Sequence, residues 1–475
     1  MLRPRSLAGA TLVTLALLAP AAAAETPADD RPLAQTQFVA DTPGEARLAI
    51  TAASPGTDWG IAGRESAVVT VSVDGRYSQD VVLFAGARQF TYHVALGSVD
   101  RGRHRVTVTF SGEKSPPGAR TATVRRLAPS LAAADDLAAR YAPILYGRDL
   151  PEIPGRYENN ATDVPLLAYH TVATGPDGNT TIEYTMIWSN EDGGTNTPAL
   201  MARWGRTTDI EWIYRVVLDP AGGIVSEHYQ APNHETKAFT GAKEGRHPLL
   251  VNVTSNNNLE QVTDADASTG YRFFLAATDT LPAGRAREAV MDANPWTYRI
   301  TAEEIAREGE LESVPSPDTP AVSDQRNYVF AELDKDTSYP APPAPGTWVG
   351  TALVVKLRGG DRWYTSHHGV PDWSIQRDDP AATTVELPPG STSADVEAIK
   401  AIAVPVAKTS EPPAPAPPDY TIHVRRLNRA FLLDDDFLPQ PSFLQWSGDV
   451  TLTPQQPEAV IWERRLSTGA FVNDR

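Results

Sequence analysis

Cysteine is absent from all 475 residues. That excludes disulfides, thiol nucleophiles and cysteine-ligated iron-sulfur clusters, and leaves stability to core burial. Also missing are a P-loop, a glycine-rich dinucleotide loop, zinc-finger spacing, a G-x-S-x-G elbow and any internal repeat. Positive charge is in deficit, with 42 Lys and Arg against 59 Asp and Glu and a formal net charge of −17. Bulk charge therefore argues against nucleic acid or anionic membranes as partners, while a local basic pocket stays open. The longest apolar run lies at the start, where "MLRPRSLAGATLVTLALLAPAAAAETPADD" sets Arg3 and Arg5 ahead of it and small residues behind it. This pattern predicts a signal peptide over residues 1–24, cleaved after Ala24, and a secreted, periplasmic or otherwise extracellular product. A membrane anchor is the alternative reading, but the run falls short of the roughly 20 apolar residues that cross a bilayer. No cysteine follows it to accept a lipid. Cleavage would remove two arginines and no acid, so the charge becomes −17 − 2 = −19. Frequent Ala, Pro and Arg with scarce Lys is the composition associated with GC-rich bacterial genomes.

What is present is strand-forming sequence. From about Glu45 to Arg126, short alternating runs such as "SAVVTVSVDGRYSQDVVLF" recur every 8 to 12 residues or so, and Asp74-Gly75 marks a hairpin. Residues 25–128 are therefore expected to form an immunoglobulin-like β-sandwich, with a spacer or docking role and glycan binding as the alternative. A short helix is expected over Leu131 to Tyr141, ended by Pro143. Strands return from Val164 onward, interrupted by a helix at "NPWTYRITAEEIAREGEL", with Thr301 as N-cap and Glu304 three residues on. The fold class is all-β: residues 129–475 are expected as one larger β-sandwich with a few short helices and a proline-rich exposed loop at 405–418.

The stretch "NEDGGTNTPALMARWGRTTDIEWIY" carries the chemistry. Strand alternation would place Asp209, Glu211 and Ile213 on one face and Ile210, Trp212 and Tyr214 in the core. Side chains two apart on a face sit about 6.6 to 7 Å apart along the backbone, so both carboxylates can converge on one positive group. Hard oxygen ligands suit Ca²⁺ or Mg²⁺ better than Zn²⁺, which an added imidazole would admit. Asp192 or Glu191 from the loop upstream, and His228, His234 and Glu235 from the strand and loop downstream, would meet the pair if sequence-adjacent strands pair. The alternative is a solvated strand face neutralised by Arg203, Arg206 and Arg215. Asn256, Asn257 and Asn258 in "VTSNNNLEQV" fit either a polar pocket or a plain turn.

With those residues in view, "YTMIWSNEDGG" followed by "GRTTDIEWIYRVV" resembles the strand, loop and G-x-x-x-D-x-E signature of the necrosis-inducing toxin-like and vacuolar-protein-sorting sixty-two-like families. The resemblance spans about Tyr141 to Asn258 and rests on Gly205, Asp209 and Glu211. Positions occupied in the families by histidines and a tryptophan carry Arg206, Thr208 and Ile210 here. It implies a β-sandwich whose D-x-E carboxylates, Asp209 and Glu211, hold a divalent cation at a polar cavity, with Asp192 as an upstream acid.

Other constellations point elsewhere. Paired carboxylates also run glycosidases, and "WYTSHHGVPDW" offers Trp363, Tyr364, Trp373, His367 and His368 as a sugar-stacking rim or as plain core and loop. Asp434 to Asp436 fit a calcium loop or a solvated acidic turn. The sequence thus predicts an exported protein with a divalent-cation site at Asp192, Asp209, Glu211 and His234, flanked by His228, Glu235, Arg206 and Asn257 as ligand-binding residues. It would recognise or hydrolyse a polar extracellular ligand, a glycan or glycolipid head group. A secreted glycoside hydrolase and a non-catalytic cell-surface or adhesion protein are the competing classes.

Overall fold

Alternating apolar residues and glycine-bearing turns build an all-β architecture with four short α-helices among the described residues. The computed structural model describes residues 32–149, 158–191, 196–264, 270–313, 319 and 321–464. The expected signal peptide at 1–24 and Asp192 lie outside these residues. The first seven strands form two facing sheets. One runs Pro32–Ala40, Gly102–Phe110, Val68–Val73, Arg76–Val82, and the other Phe90–Val99, Gly44–Ala53, Thr123–Leu131. Asp74 and Gly75 join two of these strands with φ of 51° and 81°, the left-handed pair a tight hairpin demands.

The rest of the chain, expected as one larger sandwich, holds two further pairs of sheets. In the central pair, a six-stranded sheet runs Glu235–Ala238, Ile224–Ala231, Ile210–Leu218, Thr180–Trp188, Pro165–Thr174, Asp279–Thr280. It packs on a sheet ordered Lys243–Glu244, His247–Asn252, Ile144–Tyr146, Arg272–Phe273, with Leu259–Gln261 on His247–Asn252. The C-terminal pair runs Asp379–Glu386, Tyr328–Ser338, Thr421–Phe431, Trp446–Leu452 against Trp363–Thr365, Trp348–Leu357, Val396–Val406, Glu458–Glu463. This last pair encloses a core of its own around Leu333, Leu353 and Ile422. Strand alternation alone cannot tell one large core from two, because both present the same period.

The N-terminal sandwich is more than a tethered spacer. Its core is continuous with the central one, from Ile50 and Trp59 through Phe274 to Trp188. The amide of Ala95 donates to the Phe274 carbonyl at 2.8 Å, and Gln79 both donates to Ala95 O and accepts from Phe274 N. Buried His247 reaches Glu45 across the same seam at 3.1 Å.

The helices are α1 (Leu137–Tyr141), α2 (Thr197–Trp204), α3 (Ala289–Ala293) and α4 (Trp296–Arg307). α1 is shorter than expected because Leu131 still belongs to a strand. Thr301 does not cap α4. The helix already starts at Trp296 behind Pro295, whose fixed φ suits a helix start, so Thr301 sits inside it and donates to Ser189 O at 3.0 Å. In the proline-rich stretch, Pro405 belongs to a strand, opposite Val349. The strand on its other side stops pairing at Ile402, so the missing N–H leaves no ladder bond unmade. Residues 407–418 beyond it are largely exposed.

α2 docks the central and C-terminal sandwiches together. Thr383 and Thr384 donate to the carbonyls of Ala202 and Met201 at 2.5 and 2.8 Å, and Trp373 packs on Ala199 and Ala202. Gly205 ends the helix at φ 66°, its N–H on the carbonyls of Leu200 and Met201. A Cβ there would lie 2.8 Å from Thr383 N. Gly205→Ala is expected to lower stability by about 1–3 kcal/mol through left-handed strain and this backbone clash, read as a drop in the denaturant midpoint.

Candidate functional site

From Gly205 the chain runs through Arg206–Asp209 into the strand Ile210–Leu218. Pairing with Thr180–Trp188 slips by one residue at Tyr184/Thr185, so Tyr184 faces Tyr214 and Thr185 faces Trp212. The bulge breaks the expected alternation. Ile213 and Tyr214 are both buried, whereas Trp212, expected in the core, is half-buried with the Arg215 guanidinium 4.6 Å from its ring.

Asp209 is 1% exposed. Its Oδ2 accepts from Asn257 Nδ2 at 3.1 Å, while its buried Oδ1 has no hydrogen-bond partner. Burial pushes the Asp209 carboxyl well above the usual range, and repulsion from Glu211 and Glu191 adds to it against the pull of Arg206 and the Asn257 bond. A proton on Asp209 is the response of a buried acid beside two others. Asn257 is held for its role by a turn at φ 49°, with its own Oδ1 accepting from Asn252 at 2.6 Å.

Glu211 starts a polar chain. Its Oε2 accepts from Gln230 Nε2 at 2.6 Å; Gln230 lies 3.2 Å from His234 Nδ1, and His234 Nε2 lies 3.2 Å from Asn256 Nδ2. His234 Nδ1 is itself 3.8 Å from Glu211 Oε2. Asn233 and His234 both adopt left-handed φ, near 60°, a tight reversal that places His234 on the cavity wall.

The positive side comes from four arginines around Trp204. Arg377 lies 3.9 Å from the ring centroid, with Arg203, Arg206 and Arg287 at 5.7 to 5.8 Å. Arg206 donates to buried Glu288 at 2.9 Å and to the Thr208 carbonyl. Burial would raise the Glu288 carboxyl, yet Arg206, Arg377 and Arg287 hold it below its ordinary value. Arg377 is pushed down to about 9 by burial, with Glu288 opposing and the neighbouring guanidiniums adding to the fall. Arg287 donates to Ile210 O at 2.5 Å. Burial works against its charge, but Glu211 and Glu288 more than restore it.

Between these groups opens a cavity of about 490 Å³. Glu191, Glu211, Arg206, Arg287, His234 and Asn256 supply its polar wall beside Leu200 and Trp204. Asp209 is not on that wall; it sits behind it. The structure therefore brings Asp209, Glu211, His234, Arg206 and Asn257 into one neighbourhood. His228 is half-buried, opposite Arg215 on the sheet, and Glu235 is exposed opposite Ala231; neither lines the cavity. The asparagine run is both readings at once, a turn closed by Thr254 and a source of cavity amides. The aromatic rim is not one surface, since Trp373 is buried against α2. Asp434 accepts from its own turn at Asp436 N and Leu438 N.

Among the described residues no group of three His, Asp or Glu side chains could hold a metal ion. The orphaned Asp209 Oδ1 would suit a cation, but guanidiniums already offset the neighbouring carboxylates, so the described donor set fits a divalent ion only in part. Arg287, Glu288, Arg377 and Gln230 were not legible as site residues. They lie 21 to 168 positions from Asp209, on other elements, and no local spacing marks them. α2 did carry a signal, Pro198 near its start and Gly205 at its end.

No protein-family model matches the chain, and no curated protein matches it. Among solved structures, the crystal structure of a ruminal GH26 endo-beta-1,4-mannanase is similar over 22% of this chain and 18% of its own, at 13% identity and a TM-score of 0.17. A likeness of that extent carries no argument.

Asp209 also sets a pH dependence. A carboxyl raised in the folded state stabilises fully below its unfolded pKa of about 3.9 and loses that contribution as pH rises toward its folded value. Asp209→Asn retains a neutral side chain throughout. Its stability relative to wild type is expected to increase as pH is raised from 4 to 8, measured by denaturant unfolding; a constant difference would show that Asp209 is ionised in the fold.

Proposed function

We propose that the chain is an exported binder of a polar, hydroxyl-rich ligand, a glycan or glycolipid head group, held in the cavity beside Asp209. The observation that carries this reading is the wall itself: carboxylates, guanidiniums, an amide and an imidazole converge on one concavity with an indole and a leucine, the mixture that orients a polar ligand. Binding is favoured over glycoside hydrolysis because Asp209, the acid of this site whose carboxyl burial pushes up, is sealed behind the wall where it cannot reach a scissile bond. A purely structural or adhesive role leaves the convergence of these groups on an open cavity without a reason. Glycan-array screening followed by calorimetry on the strongest hit tests the proposal. Glu211→Gln and Asn256→Ala are each expected to weaken binding about tenfold, near 1.4 kcal/mol; unchanged affinity in both, or no hit, would overturn it.

The unpartnered Asp209 Oδ1 supports a second reading, in which Ca²⁺ or Mg²⁺ replaces the proton and joins Asp209 to Glu211. Chelation separates the two. With a bound ion, chelator lowers the wild-type melting temperature and leaves Asp209→Asn unmoved; with a proton, chelator moves neither.

A further inference from the structure

A second cavity, of about 260 Å³, opens at the seam between the N-terminal and central sandwiches. Its walls come from the strands Phe90–Val99 and Pro165–Thr174, the segment 273–279 and the start of α4. Phe84, Phe90, Tyr92 and Trp296 form its aromatic side. Trp296 stacks on Phe84 at 5.2 Å and meets Phe90 edge-on at 4.9 Å, and Tyr92 packs edge-on against both phenylalanines at 5.1 and 4.9 Å. A cavity of ~150 Å³ admits benzene, so this one has room for a single ring and a short arm.

Apart from the exposed imidazole of His93, the ionisable carboxylate and cationic groups on its lining are of one sign. Two aspartates line it, and no lysine or arginine does among the described residues. Asp80 is saturated: Lys114 donates to it at 2.5 Å, Tyr77 at 2.7 Å and the amide of Arg272 at 3.1 Å. Asp279 differs. It is half-buried on the short strand Asp279–Thr280, and its carboxylate has no hydrogen bond or ion pair among the described residues. A half-buried carboxylate lining the same cavity as an aromatic cluster, with no cation of its own among the described residues, is complementary to a positively charged organic group, which gains both the charge and the ring faces. An anion would be repelled there, and a neutral apolar guest would desolvate Asp279 without compensation.

We propose that this seam cavity binds an organic ammonium ligand, an amine carried on one aromatic ring or a short alkyl body, with Asp279 receiving the ammonium and the Phe84–Phe90–Trp296 cluster receiving the apolar part. The site is separate from the cavity beside Asp209 and does not depend on the reading given to it.

Calorimetry on the full chain with benzylammonium, benzyl alcohol and benzoate tests this, since the three share size and ring and differ in charge. Benzylammonium is expected to bind at least tenfold tighter than benzyl alcohol, and benzoate not at all. In Asp279→Asn the preference for the ammonium over the alcohol should vanish while the alcohol binds as before. Equal affinity of ammonium and alcohol for the wild type, tighter binding of benzoate, no binding of any of the three at millimolar concentration, or a preference that survives in Asp279→Asn would each overturn the proposal. The wild-type series alone decides the matter if the variant does not fold.

Discussion

Buried charge around Asp209 is the constraint on which the site and its surroundings depend. A carboxyl sealed from water next to two other acids is tolerable only if it is protonated or offset. The molecule gathers guanidiniums to do the offsetting for its neighbours. Arg206 precedes the strand Ile210–Leu218 and Arg287 precedes α3, Arg377 arrives from the C-terminal sandwich, and Glu288 in turn keeps the arginines from repelling one another outright. Trp204 gives the cluster a common flat surface on which Arg377 stacks. Removing any one member would leave its partners buried and unmatched, which is why the cavity wall and the docking of α2 belong to the same network.

Hydrogen bonds from the helices tie the three pairs of sheets together. α2 and α4 lie between sandwiches, and their polar groups are bonded outward to other elements: Thr383 and Thr384 to α2, Thr301 to Ser189, and Arg429 to Asp292 and Tyr298. At the N-terminal seam the join is a shared apolar core with a backbone bridge at Val94 and Leu275 and polar contacts from Gln79 and His247. A concavity opens at the N-terminal seam, and the other lies within the central region beside α2. The cavity beside α2 is rich in charge and the seam cavity in aromatic rings, and the ligand chemistry proposed for each follows from that difference.

Much of the local structure is written in short-range pattern. Period-two alternation marks the strands, Asp74-Gly75 marks its hairpin, and the D-x-E spacing at Asp209 and Glu211 points to the right strand end. The pattern misleads where one residue is inserted or where a boundary is set by packing. The bulge at Ile213 breaks the expected alternation, and α4 starts at Trp296, five residues before the capping signal at Thr301.

By itself the sequence determined the fold class, the absence of thiol chemistry, the acidic balance and the candidacy of Asp209, Glu211, Asn257 and His234, because each of these rests on residue type or on spacing within one element. Only the tertiary structure decided that residues 129–475 make two pairs of sheets, that Asp209 lies behind the cavity wall, and that arginines from three distant segments surround Trp204. The physical reason is that charge compensation and cavity formation are properties of neighbours in space. Arg206, Arg287 and Arg377 meet because separate elements pack together, and no periodicity along the chain encodes that meeting.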